Sequence, residues 1–300
     1  MYGKPLPDQQ YIQVDATSIK CGVDLLGSSF FLLTRYEELL TPARDQHGRF
    51  PAGSSVAARA GFLQRPLVDE YVELLWLMLK QLWPQLPRRE NRYQFLLSHD
   101  VDAPFAVAGR SPAEVTLSIG YFLLRRLSYS RARQRLSSAW NVYRQGARVD
   151  PYNTFPYIMS LSERHGLHST FNFITHRRAG RFDGNYSLRS PIIRNLMKAI
   201  FQRGHKIGLH PGYTTFRDCT KVAQEFDELR VQCKGLGIRQ TSWGGRQHFL
   251  RWENPTTWRA WDSAGIHYDS SLGFHDAVGF RCGTCREYPT YDLIRRQALR

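Results

Sequence analysis

The chain has 300 residues, of which 42% are hydrophobic and 13% aromatic, enough apolar material to bury one large core or two smaller ones. This composition excludes a disordered chain. The formal net charge of +15 calls for an anionic partner, but the arginines follow no zinc-finger, RNA-recognition or helix-turn-helix pattern. The absence of such a pattern argues against nucleic acid and favours a basic surface that faces anionic glycans or lipid headgroups.

Two further features bear on the cellular compartment. No apolar run approaches the roughly 20 residues that a membrane-spanning helix needs, and the first residues lack the apolar segment of a secretory signal. The five cysteines are scattered, and the pair Cys282 and Cys285 has no second pair with which to complete a zinc site. We therefore expect a cytoplasmic protein without a transmembrane segment, whose thiols are structural or incidental.

Residues 1–92 are predicted to form a small, mainly helical N-terminal module. Helices are expected over residues 25–40 and 66–83, where Pro66 suits a first helical turn. The second helix repeats apolar residues every three or four positions, so it should pack against another element. Residues 86–91 are predicted to be a linker. Nothing in this segment indicates a function.

From residue 93 onward, short apolar strands alternate with helical segments, which is typical of an α/β fold. Strands are predicted at residues 93–97, 169–174, 205–209 and 239–243. Helices are predicted at residues 113–127, 156–165, 191–203 and 221–236. Polar side chains follow the strands, and in β/α barrels the active site occupies the face at the carboxyl ends of the strands. We therefore expect a site on that face.

The first candidate residues are Asp100 and Asp102, which follow the apolar residues 95–97. Side chains two apart on a strand share a face, so both carboxylates can enter one pocket. One can then serve as a general base and the other as a metal ligand. The alternative for an Asp-x-Asp sequence alone is a strand that ends in a turn stabilised by the aspartates.

The second candidate segment contains His205 and His210, which flank a short strand. In an extended chain, residues five apart lie on opposite faces, so only one of the two is expected to enter the site. His210 stands at the end of the strand, directly before the turn at Pro211, and is the better candidate for a ligand. An isolated histidine is otherwise most often a packed or surface residue.

Together these segments resemble the motifs of the polysaccharide deacetylases, carbohydrate esterase family 4, in order and approximate spacing. The resemblance covers roughly residues 93–300, as a divergent branch in which an uncharacterised N-terminal module precedes the catalytic domain. Each motif is weak alone, and the specificity comes from their order. The four motifs are Ser98-His99-Asp100-Val101-Asp102, Ser169 to Ile174, Gly204 to His210, and Gly245-Arg246-Gln247-His248.

The resemblance implies a deformed (β/α) barrel and a metal-dependent hydrolase, acting on carbon–nitrogen bonds other than peptide bonds. Its implied reaction removes N-acetyl groups from amino sugars of a surface polysaccharide or its precursor, with a divalent metal such as zinc. By position, Asp100 matches the catalytic base, and Asp102 and His210 match metal ligands. Arg246 matches the arginine that orients the base. His248 lies in the same active-site loop and is taken as a catalytic candidate.

The sequence departs from the family pattern at two places. Thr214 stands where the family has its second metal histidine, so the third metal contact is left open among Tyr213, Thr214, His176 and His248. The family's final strand, with its Leu-x-His motif, has no counterpart, so a C-terminally incomplete barrel is one interpretation. His248 or His275 could then act as proton donor. A related hydrolase and a catalytically inactive glycan-binding protein remain the alternatives.

Aromatic residues surround the Arg246 segment in the sequence. Trp243 and Trp252 flank Arg246 and His248, and aromatic faces stack on sugar rings, so these two tryptophans are predicted to bind substrate. The competing interpretation is that they belong to the hydrophobic core.

Overall fold

A computed structural model describes residues 3–89, 92–176 and 179–299, and its backbone contacts divide the chain into two compact units. Unit 1 comprises Met1–Gln94, Thr215–Ala223 and Gln247–Arg300. Unit 2 comprises Phe95–Thr214 and Gln224–Arg246. Unit 2 is therefore inserted into the sequence of unit 1. The sequence predicts a module at residues 1–92 followed by a barrel at residues 93–300. This division stays a prediction.

Unit 2 contains a parallel sheet in which sequential strands are neighbours, β3-β4-β5-β6. Its strands are β3 (Leu97–Val101), β4 (Ser169–Phe173), β5 (Lys206–Leu209) and β6 (Gly244–Gly245). The helices between them are α5 (Pro112–Gly120), α6 (Tyr129–Gln145), α7 (Phe155–Arg164) and α8 (Pro191–Gln202). A further helix, α9 (Cys219–Gly235), includes residues of both units. Helices alternate with parallel strands, so the predicted α/β class is confirmed.

The helix α8 shows why this sequence folds locally as it does. Pro191 occupies its first turn, where a missing backbone N–H costs nothing. Its buried residues recur every three or four positions and form one apolar face: Ile193, Leu196, Met197 and Ile200. The neighbouring strand β4 buries Phe171 and Phe173 completely, as expected for a central strand of a parallel sheet.

The predicted strand at residues 93–97 is wrong, because β3 begins where that prediction ends. Phe95 and Leu96 are exposed, whereas Leu97 pairs with Ser169 and opens the ladder to β4. The apolar run at residues 95–97 therefore does not coincide with the strand β3. The shift matters for the site, since it places Asp100 inside the strand rather than beyond its end. The fourth strand is likewise displaced, from residues 239–243 to β6.

Unit 1 contains most of the remaining elements. Its strands form two antiparallel pairs, β1 (Ile12–Val14) with β2 (Ile19–Cys21) and β8 (Tyr291–Asp292) with β9 (Gln297–Ala298), besides the short β7 (Tyr268–Asp269). Its helices are α1 (Leu25–Leu33), α2 (Tyr36–Leu40), α3 (Val56–Arg59), α4 (Leu67–Leu82) and α10 (Thr256–Ser263). A core of buried residues joins α1, α3 and α4: Leu25, Leu32, Ala57, Phe62, Leu67, Val68 and Tyr71. Throughout the described parts of the chain, every helix is too short or too polar to cross a lipid bilayer.

The single helix predicted at residues 25–40 is in fact two helices that meet at Arg35. The backbone of Arg35 adopts a left-handed conformation with φ of 54°, which separates α1 from α2. Its buried guanidinium binds Glu37 at 2.6 Å and Glu38 at 2.8 Å. A second buried arginine, Arg281, binds the same Glu38 at 2.7 Å. Tertiary ion pairing therefore overrides the local helical preference.

We define Arg35, Glu37, Glu38 and Arg281 as the charge cluster of unit 1. All four side chains are almost inaccessible to water. Burial by itself would raise the pKa of Glu38, but the guanidinium groups of Arg281 and Arg35 lower it below its ordinary value. The glutamate is therefore ionised, and it is neutralised by two arginines from opposite ends of the sequence.

Removal of one member of the charge cluster should destabilise unit 1 strongly. Glu38→Gln leaves two buried guanidinium groups without their shared carboxylate, which is expected to lower the free energy of unfolding by about 3–5 kcal/mol. Arg65→Gln is the control, since Arg65 and Glu70 form an exposed pair whose loss should leave the free energy of unfolding nearly unchanged. Urea denaturation followed by circular dichroism measures both, and equal losses in the two variants would contradict the prediction.

Candidate active site

Asp100 lies in a row of facing residues across three strands of unit 2. In the parallel register, Asp100 on β3 is opposite Asn172 on β4, and Asn172 is opposite Gly208 on β5. The Asn172 amide nitrogen donates a hydrogen bond to Asp100 Oδ1 at 2.8 Å. Gly208 makes room for this side chain, because a Cβ at that position would overlap the Asn172 amide oxygen and lie 2.9 Å from Thr170 Cγ2.

Arg246 provides the second contact that orients Asp100. Its Nη1 donates to Asp100 Oδ2 at 3.1 Å, while its Nη2 donates to Ser98 Oγ at 2.7 Å. Both carboxylate oxygens of Asp100 therefore accept hydrogen bonds, and the side chain is held from two sides. It is still 26% exposed, so water can reach it. A carboxylate oriented in this way and open to solvent has the attributes of a general base.

The backbone of Arg246 determines the tautomer of His210. The His210 ring is buried, and its Nδ1 lies 2.5 Å from the Arg246 carbonyl oxygen. A carbonyl oxygen only accepts hydrogen bonds, so Nδ1 carries the proton. In the neutral ring Nε2 then carries the lone pair, which is the tautomer that binds metal ions through Nε2.

The acceptor nitrogen of His210 faces a carboxylate. Its Nε2 lies 3.3 Å from Asp102 Oδ1, and the Asp102 side chain is 56% exposed to solvent. An imidazole nitrogen with a free lone pair and a carboxylate oxygen are both ligand atoms for a divalent metal ion. Two ligand atoms about 2.1 Å from a zinc ion, at a tetrahedral angle, lie about 3.4 Å apart. The spacing of this pair therefore fits two ligands of one metal ion.

The structure brings together four of the sequence-predicted site residues, Asp100, Asp102, His210 and Arg246, within unit 2. His248 belongs to unit 1, where it is buried at the start of a short 3-10 turn, His248–Leu250. Of the other residues predicted as possible third metal contacts, Thr214 is exposed, and the ring of Tyr213 stacks on Phe182 at 4.6 Å. His176 follows β4 and is partly buried.

The two predicted sugar-binding tryptophans differ in exposure. Trp252 is fully buried in unit 1, where its ring packs against Trp258 at 4.8 Å. Because a buried ring offers no face to a sugar, the structure corrects the prediction for Trp252 to that of a core residue. Trp243 is only partly buried and makes an edge contact with Phe226 at 5.9 Å. Its role in substrate binding stays a prediction.

The other two histidines in the predicted motifs lie away from the candidate site. His205 is buried near the amino ends of the strands, where its Nδ1 accepts a hydrogen bond from the Ser169 N–H at 3.0 Å. His99 packs against Phe171 at a ring distance of 5.1 Å. Both histidines therefore serve the packing of the sheet, and of the pair His205 and His210 only the latter faces the carboxylates.

Sequence reasoning missed three residues that support the site. Ser98 and Asn172 lie inside the quoted motifs, and Asn172 could have been noticed as a polar residue within an apolar strand. Tyr186 lies outside the quoted motifs and the predicted strands and helices. Its hydroxyl donates to the Val101 carbonyl oxygen at 2.6 Å and accepts from the Ile174 N–H at 2.7 Å, which ties the ends of β3 and β4 together. Burial raises the pKa of Tyr186 well above its ordinary value, so it remains a donor.

The register predicts that Gly208 is coupled to Asn172. Gly208→Ala should lower the free energy of unfolding by about 1–3 kcal/mol, because the added methyl group overlaps the Asn172 amide. In an Asn172→Ala background the same substitution should cost clearly less, since the overlapping amide is gone. Urea denaturation of the four variants of this cycle measures the coupling. Equal costs in both backgrounds would contradict it.

Comparison with known proteins concerns only the N-terminal part of the chain. Residues 5–84 match a sequence family of unknown function, DUF7033. Neither the curated proteins nor the solved structures gave a match. The matched residues lie in unit 1, so the candidate site in unit 2 has to be interpreted from its own geometry.

Proposed function

We propose that this protein is a metal-dependent hydrolase that removes N-acetyl groups from amino sugars of a surface polysaccharide or its precursor. The observation that carries the proposal is the pairing of an oriented carboxylate, Asp100, with the His210 and Asp102 pair at metal-ligand spacing. Both lie at the carboxyl-terminal side of a parallel sheet, where α/β enzymes place their sites. The substrate class comes from the resemblance to polysaccharide deacetylases, which also implies the deformed barrel.

Asp102, His210 and His248 are the proposed metal ligands. They offer one carboxylate oxygen and two imidazole nitrogens, a donor set that could hold a divalent ion such as zinc. His248 follows Arg246 by two residues, so covalent geometry keeps its Cα within about 7 Å of the Arg246 Cα. The Arg246 carbonyl oxygen is itself bound to His210. This proximity in the chain favours His248 over Thr214 as the residue that replaces the family's second histidine.

In the proposed reaction, the metal ligands would hold the ion that activates the substrate, and Asp100 is the general base. A bound divalent ion would polarise the acetamide carbonyl group and lower the pKa of a bound water. Asp100 takes the proton from the attacking water, since Arg246 and Asn172 hold its two oxygens in a fixed orientation. Tyr186 keeps the end of β3 in place and thereby positions the segment from Asp100 to Asp102.

A catalytically inactive glycan-binding protein is the second candidate. The observation that favours it is Thr214, an exposed threonine at the position where the family has a metal-binding histidine. In this case the protein would bind a glycan without needing the metal. Glycan affinity that survives both Asp102→Ala and chelation would support this alternative.

The metal site can be tested without any assay of turnover. Isothermal titration of the metal-stripped protein with zinc should show one site, and Asp102→Ala, His210→Ala and His248→Ala should each lose stoichiometric binding, because a zinc site needs three protein ligands. The exposed His165→Ala is the matched control and should bind as the parent does. No zinc binding by the parent protein would reject the proposed metal centre and favour the glycan-binding alternative.

The role of Asp100 leads to a separate prediction about turnover. With acetylated glucosamine oligomers as the probe, Asp100→Asn should lower the rate of acetate release by at least about 100-fold, since general-base catalysis contributes that much. Zinc binding should be nearly unchanged, because Asp100 is not a proposed ligand. The exposed Asp227→Asn is the control for removal of a carboxylate from unit 2. Full turnover in Asp100→Asn would show that the base is a different residue.

A further inference from the structure

The connection between β3 and β4 contains a helical segment of unusual composition. Residues 112–149, here called the hairpin, comprise α5, a π-helical turn (Tyr121–Arg125) and α6, and α5 packs against α6. The hairpin contains seven arginines and one acidic residue, Glu114. The arginines are Arg125, Arg126, Arg131, Arg133, Arg135, Arg144 and Arg148. The segment therefore carries a net charge of +6, out of +15 for the chain.

The hairpin also exposes large apolar side chains. On α6 they form one row, here called the apolar stripe, at separations of seven, four and three residues: Tyr129, Leu136, Trp140 and Tyr143. This spacing places them on one face of a helix. Trp140 is 60% exposed and Tyr143 is 84% exposed. The stripe is therefore an apolar helix face that the described residues of the protein leave exposed to solvent.

The remainder of the hairpin continues this surface. Leu117, Tyr121 and Leu124 recur at helical spacing, and Leu124 is 84% exposed. At the turn before α6, Leu127 adopts a left-handed backbone with φ of 47° and is 85% exposed. Glycine or asparagine fits that conformation better than leucine, so neither packing nor backbone geometry explains an apolar residue there.

The apolar stripe borders the face that α6 uses for folding, on which Arg135, Ser138 and Val142 are partly buried. Ala132 is the buried residue of α6, and Arg135 donates to the Ala106 carbonyl oxygen at 2.5 Å. The Arg135 hydrogen bond ties the helix to the segment that follows β3. On the stripe, Trp140 stacks on Tyr143, and the Arg144 guanidinium lies 6.0 Å from the Trp140 ring. Cationic and aromatic groups thus alternate on the exposed side.

We infer that the hairpin docks on the surface of an anionic phospholipid bilayer. An amphipathic helix with leucine and tryptophan on one face and arginine beside them binds in the plane of the membrane interface. Tryptophan and tyrosine prefer the level of the headgroups, and each arginine is attracted to anionic lipid. The arginines of the hairpin match the anionic headgroups, and its exposed apolar side chains match the acyl chains beneath them. This inference stands independently of the proposed enzymatic function.

Two other partners fit the hairpin less well. A nucleic acid would pair with the arginines, but it offers no apolar layer to exposed side chains such as Leu124, Leu127 and Leu136. A second copy of this chain would cover the apolar stripe, but it would bring two sets of seven arginines together, which opposes association. Both partners are therefore outcomes that the test must be able to detect.

The test is flotation of the full chain with phospholipid vesicles at about 0.1 M salt. One set of vesicles is phosphatidylcholine alone, and the other contains about one quarter phosphatidylglycerol. Binding to the anionic vesicles should be at least about tenfold stronger and should weaken as salt is added. Absence of binding to the anionic vesicles overturns the inference.

Variants identify the surface that binds. Leu124→Ser, Trp140→Ser and Tyr143→Ser combined should lower binding to the anionic vesicles by at least about tenfold. Val231→Ser combined with Val278→Ser removes exposed apolar side chains elsewhere and should leave binding unchanged. Flotation of the triple variant equal to that of the parent overturns the inference.

A fluorescence measurement keeps the inference testable if the triple variant fails to fold. Brominated acyl chains in the anionic vesicles should quench tryptophan fluorescence of the parent, and the conservative Trp140→Phe variant should lose most of that quenching. Quenching unchanged in Trp140→Phe overturns the inference. Self-association or DNA binding, each in the absence of flotation, overturns it in favour of a second copy or a nucleic acid.

Discussion

Arg246 determines both halves of the candidate site. Its guanidinium orients Asp100, and its carbonyl oxygen sets the tautomer of His210. The proposed general base and the proposed metal ligand are therefore held by one residue, whose position depends on the short pairing of Gly245 with Leu209. A disturbance of that pairing would change the orientation of Asp100 and the hydrogen bond to His210 together. A substitution of the Arg246 side chain would remove its hydrogen bonds to Asp100 and Ser98 and leave the backbone carbonyl group that binds His210.

Much of the candidate site could be predicted from the sequence, because the functional side chains of a parallel sheet lie at the carboxyl ends of its strands. Asp100, Asp102 and His210 could be chosen from residue type and from their position after apolar runs. Asn172 could not, because its contact with Asp100 depends on the register between two strands that are 72 residues apart. Tyr186 lies in a loop whose course no periodic pattern describes.

The errors in the fold have physical causes of the same kind. Leu96 belongs to an apolar run but is exposed, so hydrophobicity alone misplaced the first strand of the sheet. Arg35 interrupts a region with good helical pattern because its side chain meets Glu38 and Arg281, far away in sequence. The helix α6 was not predicted at all. Its apolar stripe is interrupted by arginine and serine and faces solvent rather than the core.

The charge cluster of unit 1 has a consequence for the order in which the two units fold during translation. Glu38 is synthesised before its partner Arg281, which follows 243 residues later. Until then, the nascent segment that contains Glu38 cannot bury this carboxylate with both of its arginines. The polypeptide of unit 2 up to Arg246 is completed in that interval. During translation, unit 2 can therefore reach its native structure before unit 1, although part of unit 1 precedes unit 2 in the sequence.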